Sequence, residues 1–343
     1  MTDLLSAPKS TTTSATQTAL DVLSNLVADD LRRVNETILQ RMDSPVALIP
    51  QLAGHLISAG GKRLRPSLTL AAAQLCGYDH RGHDHVYLAA CVEFIHTATL
   101  LHDDVVDESA LRRGDSSANA LFGNKPSVLV GDFLFSRAFE LMVEVGNLPV
   151  LGILSRASAI IAEGEVQQLM TTNNLSTSRQ MCLDVIRGKT AVLFAAACRV
   201  GAEIAQRPKS EAEALYQYGM NLGLAFQLID DCLDYRTPQK ALGKNVGDDF
   251  KEGKVTFPVS VALEQASEEE QVFWKKALED VEQRPTDFDH AVSLLQQHGA
   301  LEETERQARA YGAQAQKALH NFAPSPAKTA LFDVVEFCLN RSW

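Results

Sequence analysis

From about residue 19 to the C-terminus, apolar side chains return at intervals of three and four, and Ala, Leu, Gln and Glu fill most positions between them. That period belongs to helices with one buried face, and no stretch shows the sustained alternation of a half-buried strand. Two runs, Phe94 to Leu101 and Leu222 to Ile229, are apolar enough to predict buried helical segments. Turn signals punctuate the pattern at Gly60-Gly61, Gly77 to His80, Gly123 to Pro126, Arg207-Pro208 and between Gly243 and Gly253. The acidic stretch 265–289 predicts a solvated helix pair that turns at Arg284-Pro285. The first 18 residues are rich in Ser and Thr, which predicts a disordered tail. No linker divides the remainder, so the expected architecture is all-α, with one domain over residues 19–343.

Both apolar runs end in the same polar device. Asp103-Asp104-Val105-Val106-Asp107 follows the first, and Asp230-Asp231-Cys232-Leu233-Asp234 follows the second. Each is DDxxD. Residues at i and i+4 share a helix face, so Asp103 and Asp107 project together, with Asp104 about a hundred degrees away. Asp230, Asp231 and Asp234 repeat the arrangement. Taken singly, such a cluster reads equally well as a solvated acidic face. Two copies, each at the end of a buried helix, point instead to carboxylates at a cavity mouth. Crowded carboxylates suit a hard divalent cation; magnesium is usually held by one or two of them together with substrate phosphates. A pair of such walls predicts a diphosphate pocket.

Charge sharpens this picture. The chain has 343 residues with 32 basic and 43 acidic side chains, a formal net charge of −11, which argues against general nucleic-acid binding. Its six cysteines are scattered and form no CxxC, so a reduced, cytoplasmic setting is expected. No apolar run reaches the length of a membrane span, and the N-terminus has no signal-peptide pattern. His80, His83 and His85 fall close together, but no cysteine or further histidine shares their spacing, and a polar loop is the better reading than a zinc site.

Against the acidic background, basic residues cluster where a diphosphate would need them. Lys62, Arg63 and Arg65 follow Gly60-Gly61 and precede Pro66, which sets the entry to a helix. Arg112-Arg113-Gly114 comes shortly after Asp107, and arginine's planar fork binds phosphate oxygens in pairs. Gly188-Lys189-Thr190 interrupts a helical pattern, and Lys244 and Lys254 flank Gly247-Asp248-Asp249-Phe250. His96 lies two turns before Asp103; on physical grounds alone it is as readily a core histidine as a ligand.

The run from Glu93 to Gly114 resembles the first aspartate-rich motif of the trans-polyprenyl diphosphate synthases, and Gly223 to Tyr235 resembles the second. Gly61 to Pro66, Gly188 to Thr190 and Lys244 to Pro258 match further blocks of that family, so the likeness spans roughly residues 25 to 343. It is strongest to the long-chain bacterial members, the octaprenyl to decaprenyl diphosphate synthases that supply ubiquinone side chains. The resemblance implies an isoprenoid-synthase helical bundle around a deep central cavity, a homodimer, and magnesium, with three ions when substrate is bound. It implies Mg-dependent condensation of isopentenyl diphosphate onto an allylic diphosphate, repeated until the tail is long. An apolar product further implies peripheral membrane contact at release.

Carried over residue by residue, the resemblance assigns Asp103, Asp107 and Asp230 to metal, with Asp104, Asp231 and Asp234 in support. It assigns Arg112, Lys189, Thr190, Gln227, Lys244 and Lys254 to the allylic diphosphate, and Lys62, Arg65, His96 and Arg113 to isopentenyl diphosphate. Arg63 is expected to face solvent, and nothing in the sequence fixes Arg341 over the site. In short-chain relatives an aromatic four or five residues before the first motif closes the tail tunnel. Here those positions are Thr99 and Ala98, with Ile95 deeper, so a long product is expected. Phe133, Phe135 and Phe139 are candidates for a tunnel floor. The alternatives are a shorter-chain geranylgeranyl-type synthase, a non-catalytic subunit of a heteromeric synthase, which would lack one aspartate cluster, and a terpene cyclase, whose second metal motif differs. A di-iron bundle needs two Glu-x-x-His motifs, and only Glu93/His96 is present.

Overall fold

A computed structural model describes residues 15–58, 62–112, 115–236 and 247–341. It opens with α1 (Ala15–Leu26), α2 (Ala28–Arg41), α3 (Leu48–Ser58), α4 (Leu64–Leu75) and α5 (Asp84–Val106). Helix α1 thus starts inside the segment expected to be a tail, and the rest of that segment lies outside the described residues. Then come α6 (Ala118–Phe122), α7 (Asn124–Val145), α8 (Leu148–Thr171) and α9 (Arg179–Ile186). Helix α9 runs through a π-helical turn, Arg187–Ala191, into α10 (Val192–Ile204). The second half holds α11 (Lys209–Arg236), α12 (Asp248–Lys251), α13 (Phe257–Leu263), α14 (Glu268–Trp274), α15 (Asp287–Gln297), α16 (Ala300–Ala318) and α17 (Pro326–Asn340).

One feature departs from the all-helical reading. Leu111–Arg112 (β1) and Asp115–Ser116 (β2) pair antiparallel directly after the first aspartate motif. Two residues per strand are too few to show a period of two, so the ribbon left no trace in the pattern. The polar stretch 265–289 does form helix on either side of a turn, but its first helix is anchored by Trp274 and Leu278, both fully buried.

Helix starts follow local chemistry. Asn147 caps α8 through Val150 N–H at 3.1 Å, Ser178 caps α9, Ser325 caps α17, and Ser267 with Glu270 forms a capping box on α14. Placement follows apolar content. Helix α10 is apolar except for the half-buried pair Arg199 and Glu203 and is almost wholly buried, as a central helix must be. Helices α4, α5, α8 and α11 pack against it, while α7 covers α5 and α16 covers α11. All six cysteines are buried and unpaired. Among the described residues no helix is long and apolar enough to cross a membrane.

Glycines allow the helices next to α10 to approach unusually closely. A Cβ on Gly164 of α8 would stand 2.8 Å from the backbone N of Lys189, and one on Gly223 of α11 would stand 2.5 Å from Ala191 Cα. The π turn is therefore gripped on two sides by helices that touch it backbone to backbone. Gly223→Ala should cost about 1–3 kcal/mol in denaturant unfolding, because neither contact atom is the end of a flexible side chain. Unchanged stability would show that α11 can shift outward freely.

Candidate active site

The polar ends of α5 and α11 are both reached by side chains of the π turn. Asp103 and Asp107 come from the end of α5, and Asp230, Asp231 and Asp234 from the end of α11. Consecutive residues of the π turn reach the two walls. Lys189 Nζ donates to Glu165 Oε2 at 2.8 Å and lies 3.6 Å from Asp103 Oδ2. Thr190 Oγ1 donates to Gln227 Oε1 at 3.1 Å, and Gln227 Nε2 donates to Asp231 Oδ1 at 3.0 Å. A wider helical turn of this kind is often found at functional sites because it shifts side chains off the regular α-helical register.

A second lysine crosses the mouth. Lys254 Nζ donates to Asp107 Oδ2 at 3.1 Å and also pairs with Glu252. Although burial disfavours its charge, the fields of Asp249, Asp107 and Glu252 prevail and hold its pKa well above the usual lysine value. Lys189 is likewise raised, by Asp103 and Glu165 against the same desolvation. Both lysines are thus firmly cationic.

The carboxylates are under-compensated. Burial, with help from Asp107, drives Asp103 above the ordinary range even with Lys189 beside it. Burial and the charge of Asp249 push Asp231 well up. Asp234 accepts the backbone N–H groups of Gly247 and Asp249, each at 3.1 Å, yet burial and Asp249 still raise it to about 7. Glu165 also reaches about 7, chiefly through burial and then Asp103. Groups raised in this way hold protons in the folded chain that the unfolded chain has lost, so stability falls as pH rises between roughly 4 and 7. The metal-free chain should therefore become easier to unfold by heat as pH climbs through that window. A Tm that rises across it would contradict the crowding.

Within the first motif the roles divide. Asp104 is fully buried. Arg112 grips it with Nε, 2.8 Å from one oxygen and 2.9 Å from the other, and with Nη2 at 2.5 Å. The pair ties the β-ribbon back onto α5, and Asn119 adds a bond to the backbone carbonyl of Asp104 at 2.9 Å. Asp104→Ala should cost about 3 kcal/mol by stranding Arg112. Asp103→Ala, which removes a carboxylate that burial disfavours, should cost less than about 1 kcal/mol. Equal losses in a denaturant titration would refute this division.

The second wall is closed from the C-terminal side. Arg341, directly after α17, is buried, forms an ion pair with Asp230, donates to the Phe226 carbonyl at 2.7 Å and stacks 3.7 Å over the Phe226 ring. Lys62 Nζ stands 5.1 Å from the Phe337 ring, and burial together with the nearby Arg341 lowers its pKa. The Arg65 guanidinium lies 4.4 Å from the Phe194 ring. His96 is half-buried on α5, two turns before Asp103. Arg63 does not face solvent as expected: it adopts a left-handed backbone, φ 46°, and pairs with Glu93, a buried residue of α5. Arg113 and Lys244 lie outside the described residues.

Ala98 and Ile95 are fully buried in α5, and Thr99 turns its hydroxyl back to the His96 carbonyl at 2.8 Å. Of the candidate floor residues, Phe135 stacks on His102, Phe133 lies under Arg137, and Phe139 is exposed. A half-open pocket of about 340 Å³ lies between α8 and α10, lined by Ile153, Ala157, Ile160 and Ala196 and also by Arg156, Arg199 and Glu203. Sequence reasoning missed Glu165, Asp249 and Glu252. For Glu165 the available signal was a carboxylate beside Gly164 in a helix whose buried positions, Thr171 apart, are Gly or apolar.

Comparison with known proteins decides the family. The family model described as "Polyprenyl synthetase" matches residues 46–295. The chain belongs to the polyprenyl synthetase family. It is 43% identical over 322 residues to octaprenyl diphosphate synthase of Escherichia coli (strain K12), a match covering 94% of this chain and 99% of that one. Among solved structures, a decaprenyl diphosphate synthase from Rhodobacter capsulatus superposes with a TM-score of 0.89 at 51% identity, covering 93% of this chain and 98% of that chain. A polyprenyl synthase from Caulobacter crescentus CB15, complexed with calcium and isoprenyl diphosphate, superposes with a TM-score of 0.90 at 51% identity, covering 94% and 98%. These likenesses run through both aspartate motifs and the π turn.

Proposed function

We propose that this chain is a long-chain all-trans-polyprenyl diphosphate synthase, which joins isopentenyl diphosphate units to an allylic diphosphate to give a product in the C40–C50 range for a quinone side chain. The observation that carries this reading is the pair of under-compensated carboxylate walls bridged by Lys189, Thr190–Gln227 and Lys254. Three raised aspartates at one mouth fit a hard divalent cation bound by oxygen. Asp103 and Asp107 would hold magnesium on one side and Asp230 on the other, three ions in all with substrate present. Bound there, magnesium supplies neutralisation of the charge that develops on the leaving pyrophosphate.

The chain's own cations do the rest. Lys189 and Lys254, firmly protonated, are assigned to oxygens of the allylic diphosphate, with Thr190 and Gln227 as neutral partners. Arg112, whose Nε and Nη2 hold Asp104, is assigned to the same group, and Lys244 beside it. Lys62, Arg65, His96 and Arg113 are assigned to isopentenyl diphosphate, so that its double bond faces the allylic carbon. As pyrophosphate leaves, that double bond attacks, a proton is lost, and the tail is one unit longer. The long tail needs a passage beside α5, which the small Ala98 and Thr99 would leave open.

A homodimer is part of the proposal. Leu129 and Val143 on α7 are 66% and 67% exposed, and Met170 on α8 is 73% exposed, a spread of apolar surface that a second copy would cover. Release of so apolar a product calls for contact with a membrane surface.

Purified chain with magnesium, isopentenyl diphosphate and farnesyl diphosphate should give a C40–C50 prenyl diphosphate by mass analysis. Cyclised hydrocarbon, or no product from the chain alone, would overturn the assignment. Asp103→Ala or Asp107→Ala should cut turnover by orders of magnitude with the fold intact, and near-normal turnover would remove the metal role. Ala98→Phe should shorten the product, whereas an unchanged length would place the tail elsewhere.

A further inference from the structure

The three histidines that looked like a polar loop do not stand alone. Asp30, in the first turn of α2, is about fifty residues away in sequence and lies between two of them. Its Oδ2 is 3.0 Å from His80 Nδ1 and its Oδ1 is 3.1 Å from His85 Nε2. One ligand atom from each of the three residues falls within 4.8 Å of the other two. We propose that Asp30, His80 and His85 form a second divalent-metal site, of the zinc class, that clips the start of α2 to the base of α5.

The donor chemistry sets the class. Two imidazoles and one carboxylate suit zinc and its first-row neighbours, and are unlike the oxygen-only sets that suit magnesium. With metal–ligand bonds of 2.0–2.1 Å, tetrahedral ligands stand about 3.3 Å apart. Each imidazole stands near that edge from its own Asp30 oxygen, Oδ2 for His80 and Oδ1 for His85, so the carboxylate would meet the ion with both oxygens or turn slightly to offer one. The remaining edge closes by a small movement of His80, which is exposed and sits on the loop before α5. A fourth position is left for water.

The independent observation is at His85. Its side chain is fully buried, and no group outside the cluster takes a hydrogen bond from either ring nitrogen. Nε2 is 3.1 Å from Asp30 Oδ1, and Nδ1 has no partner. Around the cluster, Tyr78 and His80 pack their rings against His85 at centroid distances of 5.1 and 5.0 Å, which fixes its plane. Arg33 is the competing cation, with Nη1 2.8 Å from Asp30 Oδ1. Its other nitrogen already bonds the Gly82 carbonyl at 2.8 Å and meets His83 Nδ1 at 3.1 Å, so it has anchors that keep it beside the site when a metal enters.

This site is separate from the diphosphate pocket. Asp103 is eighteen residues further along α5 than His85, about 27 Å at 1.5 Å per residue. A metal here braces the far end of the helix that presents the first aspartate motif.

The test uses the full-length chain without an affinity tag, stripped of metal and held in excess magnesium so that the aspartate walls are occupied. Zinc should bind one per chain by chelator competition. Cobalt(II) at the same site should show the intense visible bands of a four-coordinate, nitrogen-containing site, and zinc should raise Tm. His80→Ala, at an exposed position that the fold does not need, should lower zinc affinity at least tenfold and abolish the cobalt bands. The idea is overturned if zinc does not bind stoichiometrically, or if His80→Ala binds it as tightly as the parent. In either case the three side chains are only an ionic clasp.

Discussion

Carboxylates at the rim of an apolar bundle repel one another, and burial makes that repulsion expensive. Everything else in the site answers this constraint. Lys189 and Lys254 reach in from separate segments to pair with Asp103 and Asp107, and Arg341 comes from the C-terminus to pair with Asp230. Even so, Asp103, Asp231 and Asp234 remain above their ordinary range. A fold that leaves such a deficit in place is less stable than it could be, and the unmet demand for positive charge is what a metal–diphosphate complex would satisfy.

The deficit can be held in position because the backbone beneath it is rigid. Helices α8 and α11 approach the π turn at Gly164 and Gly223 with no room for a methyl group. That close packing lets two neighbouring residues, Lys189 and Thr190, address opposite walls. In the first motif, the three aspartates divide between function and structure: Asp104 is sealed in with Arg112, while Asp103 and Asp107 face the lysines. The same arginine that anchors the β-ribbon is thereby kept next to the mouth.

Much of this was legible in the chain. Helical periodicity pointed to the all-α class, the repeated DDxxD spacing to the two walls, and the basic clusters to Lys189, Lys254 and Arg112 among their partners. Other features were not. Arg63 looked like one more surface cation, because its partner Glu93 is thirty residues away and the left-handed turn that aims it is not encoded by a glycine. The ribbon at Leu111–Ser116 was too short to show a period. Glu165 and Asp249 carry no motif spacing of their own, and matter because burial places them against Lys189 and Lys254.

By itself the sequence determined what is local: the helical period, the face shared by residues four apart, and the small side chains at positions 98 and 99. Those follow from backbone geometry, which any stretch of chain obeys without reference to the rest. Only the tertiary structure decided what is non-local: that Asp104 is a buried anchor and Asp103 a rim carboxylate, that Arg341 closes the second wall, and that Asp30 comes to lie between His80 and His85. Such choices depend on which surfaces meet and on what water is excluded when they do. Neither is written in the spacing of any one segment.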